Sequence, residues 1–197
     1  MKKLLTLCLL LGVFSSLKAQ EKPKLTIEET IQYLGKRLDE CEDHYRYPPS
    51  SAFADGVSRK MYYTELEIKY YSEKVHIRYK SSNYPGYSQN DDYFIRYTTQ
   101  SYNPSQITSI TESTTNKSDA LGIILIKLAG KSCVSKSYAE WWNNGRFGSH
   151  GSETTNTSTD ESGFIYLQQD TSNLNKIKKA LEYLRDLCKK KDDPFGE

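Results

Sequence analysis

From Ser172 to Lys190 the chain reads SNLNKIKKALEYLRDLCKK, with Leu174, Ile177, Leu181, Leu184 and Cys188 spaced three and four apart and Ala180 and Leu187 beside them. That period predicts a helix over about 172–190 whose apolar face runs from end to end, a helix made to lie on something. Ser172 is the expected N-cap, Lys189, Lys190 and Lys191 sit where the helix dipole favours cations, and Asp192, Asp193 and Pro194 stop it. A second helix is predicted near the start, over about 26–41 in LTIEETIQYLGKRLDEC. Thr26 and Glu29 make a capping-box pair there, and Ile27, Ile31, Leu34, Leu38 and Cys41 repeat at four and three. The end of its polar side is acidic, with Asp39, Glu40, Glu42 and Asp43.

Between the helices the period changes to two. Leu66, Ile68 and Tyr70 alternate with charged residues in MYYTELEIKYY, and Val75, Ile77 and Tyr79 do so after a turn at Ser72-Glu73-Lys74, which predicts a hairpin. Tyr93, Ile95 and Tyr97 mark a third strand, and Ile107 and Ile110 a fourth. ALGIILIKL, from 120 to 128, is apolar on both faces and is the most buried strand expected. SCVSKSY and GFIYL complete seven strands over about 61–167. The stretch 44–60, with Pro48, Pro49 and Gly56, reads as a connection, and 143–162 as a long polar loop. The expected fold class is α+β, mainly β: an antiparallel seven-stranded sandwich or partly open barrel in one domain, residues 20–197, with helices at both ends of the chain.

Seven short strands followed by the amphipathic helix KIKKALEYLRDLCKKKDDPF resemble, over roughly 60–190, the element order of the pleckstrin-homology-like β-sandwich, in which such a helix closes two bent antiparallel sheets. The closing helix is also similar to that of small secreted bacterial proteins of uncharacterised function. The resemblance implies a fold and no ligand, because no basic phosphoinositide pocket is visible; the first helix is an addition to the minimal fold.

The opening MKKLLTLCLLLGVFSSLKAQ has two lysines, an apolar run from Leu4 to Phe14, and small residues up to Ala19. This order predicts a secretory signal peptide over 1–19, with an apolar run too short to span a bilayer. Cys8 lies inside that run, so lipid anchoring is not expected. The whole chain has 27 basic and 25 acidic residues, a net +2; the first nineteen hold three of the lysines and no acid, so the rest carries −1. With no net positive field, a dedicated nucleic-acid binder is excluded as the leading reading. The processed chain is expected to be secreted or periplasmic, without a transmembrane segment.

Three cysteines remain after processing, Cys41, Cys133 and Cys188, none in a metal-binding spacing. Burial as small apolar residues is the plain reading. If a disulfide forms, Cys41 and Cys188 are the candidates because both end apolar helix faces. No metal or cofactor is implied.

Chemistry is sparse. His44, His76 and His150 are the only histidines. His76 alternates with core positions and reads as a wet strand position, while His150, near Glu153, has no second histidine at ligand spacing. Of 16 tyrosines, 12 lie between 45 and 102, as sheet packing or as a sugar- or peptide-binding platform. Adjacent Trp141 and Trp142 cannot share one side of a strand, and Arg146 and Phe147 follow among glycines. Exposed aromatics with a planar cation make a binding hot spot, so Trp141, Trp142, Arg146 and Phe147 are the candidate ligand-binding residues; the plainer reading is a tryptophan plugging the sandwich. The expected function is a non-enzymatic binding or interaction module for a peptide, sugar or protein. The alternatives are a hydrolase of cell-wall or dietary polymers, resting on His150 and Glu153, and a purely structural envelope protein.

Overall fold

The structure, a computed structural model, describes residues 25–47, 60–83, 93–113, 119–143 and 149–192. The signal peptide expected at 1–19 lies outside these residues. In chain order the elements are helix α1 (Ile27–Asp39), strands β1 (Tyr45–Arg46), β2 (Met61–Tyr71), β3 (Lys74–Ser82), β4 (Tyr93–Tyr102), β5 (Ile107–Glu112), β6 (Leu121–Leu128), β7 (Cys133–Asn143), β8 (Ser149–Thr159) and β9 (Glu161–Leu167), and helix α2 (Thr171–Asp192). The strands form two antiparallel sheets, one in the order β1-β2-β3-β4-β7-β8 and the other β5-β6-β9, and neither closes into a barrel. Among the described residues strand exceeds helix, 54% against 28%, so the fold is mainly β with a helix at each end, as the periodicity requires.

Both helices form for the reasons visible in their sequences. The Thr26–Glu29 capping box is complete: Glu29 N–H donates to Thr26 Oγ1 (3.1 Å) and Thr26 N–H to Glu29 Oε2 (2.7 Å). On α2 the cap is Asp170 rather than Ser172. Its Oδ1 accepts from the N–H (2.9 Å) and hydroxyl (2.7 Å) of Ser172, and these bonds hold the Asp170 carboxyl below its ordinary range. Ile177, Leu181, Leu184 and Cys188 are buried and Leu174 is half-buried, joining Leu34, Leu38 and Cys41 of α1 and residues of both sheets in one core. The helices touch each other through Arg37 Nη1 donating to Asn173 Oδ1 (3.4 Å), and Tyr183 reaches across to donate to the Leu25 carbonyl (2.9 Å). In the small sheet β6 is the central strand, with Leu121, Ile124 and Ile126 fully buried.

Three expectations change. First, 143–162 is not a long loop: β8 occupies Ser149–Thr159 and pairs with β7 from Cys133↔Thr159 to Asn143↔Ser149. SETTNTST lacks an apolar alternation because β8 is an edge strand with most side chains exposed, and its threonines suit the pleat regardless. Second, β1, two residues long, sits inside the stretch read as a connection, held by Tyr45↔Tyr62 and Arg46↔Met61.

Third, β4 has the opposite phase. Val75↔Tyr102, Ile77↔Gln100 and Tyr79↔Thr98 put the even residues Phe94, Arg96, Thr98, Gln100 and Tyr102 on the inner face, leaving Tyr93, Ile95 and Tyr97 at outer positions. Polar residues dominate that inner face, so apolar alternation points to the wrong side. The cysteines keep to the plain reading of burial, and the conditional Cys41–Cys188 bridge is not present. Cys41, Cys133 and Cys188 are buried free thiols, Cys41 Sγ lying 3.4 Å from the Arg37 carbonyl and Cys188 Sγ 3.8 Å from Tyr70 Oη.

Candidate functional site

The inner face of the six-stranded sheet changes character along its strands. At one end Leu66, Ile68, Val75, Ile77 and Tyr102 are buried in the common core. A bulge in β2 between Thr64 and Glu67 then inserts one extra residue, which brings Tyr63 and Leu66 to the same side although their numbers differ by three. Glu65 carries the kink at φ +53, and Glu42 Oε1 accepts its N–H at 2.9 Å.

Beyond the bulge the inner face is polar and aromatic. One row across the strands reads Tyr63, Ser81, Arg96, Ala139, Glu153; the next toward the core reads Tyr79, Thr98, Ser137, Thr155; the next outward pairs Phe94, Trp141 and Gly151. Arg46, in register with Met61, lies on the same face one row outward from Tyr63. The Tyr63 and Tyr79 rings meet at 5.7 Å. Burial pushes the Tyr63 hydroxyl up to about 12, against the pull of Arg46, and pushes Tyr79 up against the pull of Thr98, Arg96 and Arg46, so both tyrosines are neutral donors at neutral pH. The site opens toward β8, because Arg96 and Glu153 are exposed and Phe94 and Trp141 half-exposed. The Arg96 guanidinium lies 5.1 Å from the centre of the Phe94 ring.

Of the four candidate residues, Trp141 belongs to this face. Its indole covers Gly151, where a Cβ would fall within 3.0 Å of the ring. Trp142 occupies the other phase of β7, in register with Tyr93 and His150. Arg146 and Phe147 lie outside the described residues. His150 and Glu153 are three apart on β8 and so stand on opposite faces of the sheet, in register with Trp142 and Ala139. That strand geometry separates the pair on which polymer hydrolysis was considered.

Arg46, Tyr63, Tyr79, Phe94, Arg96 and Thr98 were not legible as a site, because they come from four strands and form no motif. The available signal was the arginine amid tyrosines in YFIRYT. Tyrosines serve both faces. Tyr63, Tyr70, Tyr79 and Tyr102 are inner, while on the outer face Tyr97 stacks on Tyr138 at 6.5 Å and Tyr71 on His76 at 3.7 Å.

Elsewhere an open groove of about 440 Å³ lies between α1 and β2 and is lined by Gly35, Asp39, Leu66, Ile68 and the charged Glu65, Glu67 and Arg78. Two of its acids are paired: Glu65 with Lys80 (3.3 Å) and Arg78 (3.6 Å), and Glu67 with Lys69 (2.6 Å). Among the described residues no group of three His, Cys, Asp or Glu is placed to hold a metal ion, and no helix is long and apolar enough to cross a membrane. Comparison with protein-family models, with curated proteins and with solved structures finds no match.

Proposed function

We propose that this chain is a secreted or periplasmic, non-enzymatic binding module, and that its ligand lies on the polar end of the inner sheet face beside Trp141. One observation carries the reading: Phe94 and Trp141 stand opposite each other on one sheet face, half-exposed, with the exposed Arg96 guanidinium over Phe94. Large aromatics beside a planar cation, on rigid strands rather than a loop, recognise a ligand at small ordering cost. The separation of His150 from Glu153 further favours binding over hydrolysis. The partner class is a peptide, a sugar or another protein.

The experiment is capture of partners from envelope and culture fractions by the processed protein, followed by Trp141→Ala. Binding should weaken roughly tenfold or more, the scale of a hot-spot residue, with the fold retained by circular dichroism. A variant that binds as before places the surface elsewhere.

A further inference from the structure

We propose that the free edge of β8 takes up an extended peptide as a further strand of the large sheet, and that it selects a segment carrying an apolar residue two positions from a basic one. This rests on the binding reading above and names the partner class. β8 is the last strand of the six-stranded sheet, and among the described residues no strand pairs with its outer edge. Its 11 residues keep an unbroken register with β7, from Cys133↔Thr159 to Asn143↔Ser149, and no proline, lysine or bulge interrupts them. Such a strand offers every second N–H and C=O to another backbone, without the devices that most often blunt a sheet edge.

Two features of the inner face set what the added strand must carry. Gly151 has no side chain, and the Trp141 indole reaches across from β7 to cover it. A residue added beside Gly151, about 4.8 Å further out, therefore meets the half-exposed indole with no side chain between them. An apolar side chain there buries against the ring. The next position on the same face, two residues along the added strand, stands beside Glu153, which is exposed and makes no ion pair among the described residues. A lysine or arginine answers it. The residue between the two turns to the outer face, beside exposed Ser152, where nothing selects it.

A second copy of the chain does not fit these positions. Two β8 strands paired antiparallel about a two-fold axis put residues of like parity opposite each other on one face. Opposite Gly151 and Glu153 the copy would bring only Ser149, Gly151, Glu153, Thr155, Thr157 or Thr159, none of them apolar or basic.

The test titrates residues 20–197 with three capped heptapeptides at low ionic strength, read by calorimetry and tryptophan emission. The first, Thr-Lys-Thr-Leu-Thr-Lys-Thr, carries the pattern in both chain directions. The second has glutamate for both lysines, and the third is the first with its three central backbone nitrogens methylated, so that it cannot join a sheet. The lysine peptide should bind saturably with a shift in emission, about fivefold tighter than the glutamate peptide and about tenfold or more tighter than the methylated one. Glu153→Lys, at an exposed position, should reverse the preference between the first two. The proposal is overturned if the lysine and glutamate peptides bind alike, if methylation changes nothing, or if Glu153→Lys leaves the preference as it was. Dimers in sedimentation that the lysine peptide does not dissociate would give the edge to a second copy and overturn it as well. If Trp141→Ala loses a captured partner while the native chain binds none of the peptides, the binding surface stands and the added strand falls.

Discussion

Trp141 covers Gly151 across the β7–β8 pair, and the two define how the last strand joins the sheet. The indole fills the space a side chain would take, much as Tyr166 does over Gly122 in the small sheet. Gly151→Ala would place a methyl within 3.0 Å of the ring, so the tryptophan must move. The expected cost is about 1–3 kcal/mol in chemical denaturation, with a shift in tryptophan emission. Unchanged stability and emission would mean that the indole does not rest there.

The C-terminal helix is docked through a continuous apolar stripe. Leu181 is fully buried at its middle, so Leu181→Ala should cost about 2–5 kcal/mol. Lys179, exposed on the same helix, should tolerate alanine with almost no loss. Equal tolerance at both positions would show that α2 is not packed on the sheets.

Where burial is one-sided and apolar, the sequence is easy to read. The stripes of α1 and α2 and the β2–β3 hairpin follow from period, and β6 from its apolar run, although only its Gly122–Ile124–Ile126–Leu128 face is buried throughout. The site is harder because its inner face is polar. In β4 the buried Ile95 stands at an outer position while Arg96 and Thr98 turn inward, so hydrophobicity selects the wrong phase. In β8 Ser152, Thr154 and Asn156 are wet on one face and Glu153 and Thr157 on the other, which leaves no alternation to detect. Arg46 is placed on this face by a two-residue strand, which Tyr63 N–H donating to the His44 carbonyl (3.1 Å) and Asp43 N–H donating to the Tyr63 carbonyl (3.0 Å) help to hold on the sheet.

His76 should make stability fall in mild acid. Its ring stacks on Tyr71, its Nε2 is buried without a partner, and burial first, with Lys74 nearby, lowers its pKa below 6.5. The folded state therefore resists the proton that the unfolded chain accepts. Stability is full above 6.5, declines as pH falls through that value, and levels off below the folded pKa. His76→Gln should flatten urea-denaturation midpoints between about pH 7 and 5. The same slope with and without the imidazole would assign the effect to another group.

The cysteines should be present as thiols and slow to react. Burial pushes Cys41 up to about 12, with Glu40 adding to it, and raises Cys133 and Cys188 as well. Thiol titration of residues 20–197, unreduced, should find no fast-reacting group in the native protein and three after denaturation. A count of one after denaturation would reveal a disulfide and return Cys41 and Cys188 to the front.

Glu65 is a side chain in a glycine-like conformation. At φ +53 its Cβ crowds the backbone, and non-glycine residues held there cost about 1 kcal/mol or more. Its carboxylate reaches Lys80 and Arg78, but both pairs are largely solvated and offset little. The backbone is fixed instead by Glu42, which accepts the Glu65 N–H, and by the one-residue offset between Thr64 and Glu67. Glycine keeps both features and removes the crowding, whereas valine keeps the strain and adds a β-branch. Glu65→Gly should therefore match or exceed the native chain in thermal denaturation and exceed Glu65→Val by about 1–2 kcal/mol. Glu42→Ala should be destabilising in either background, because the bulge N–H then loses its acceptor. If valine proves as stable as glycine at 65, the bulge does not hold that residue at positive φ, and Tyr63 must reach the inner face by another register.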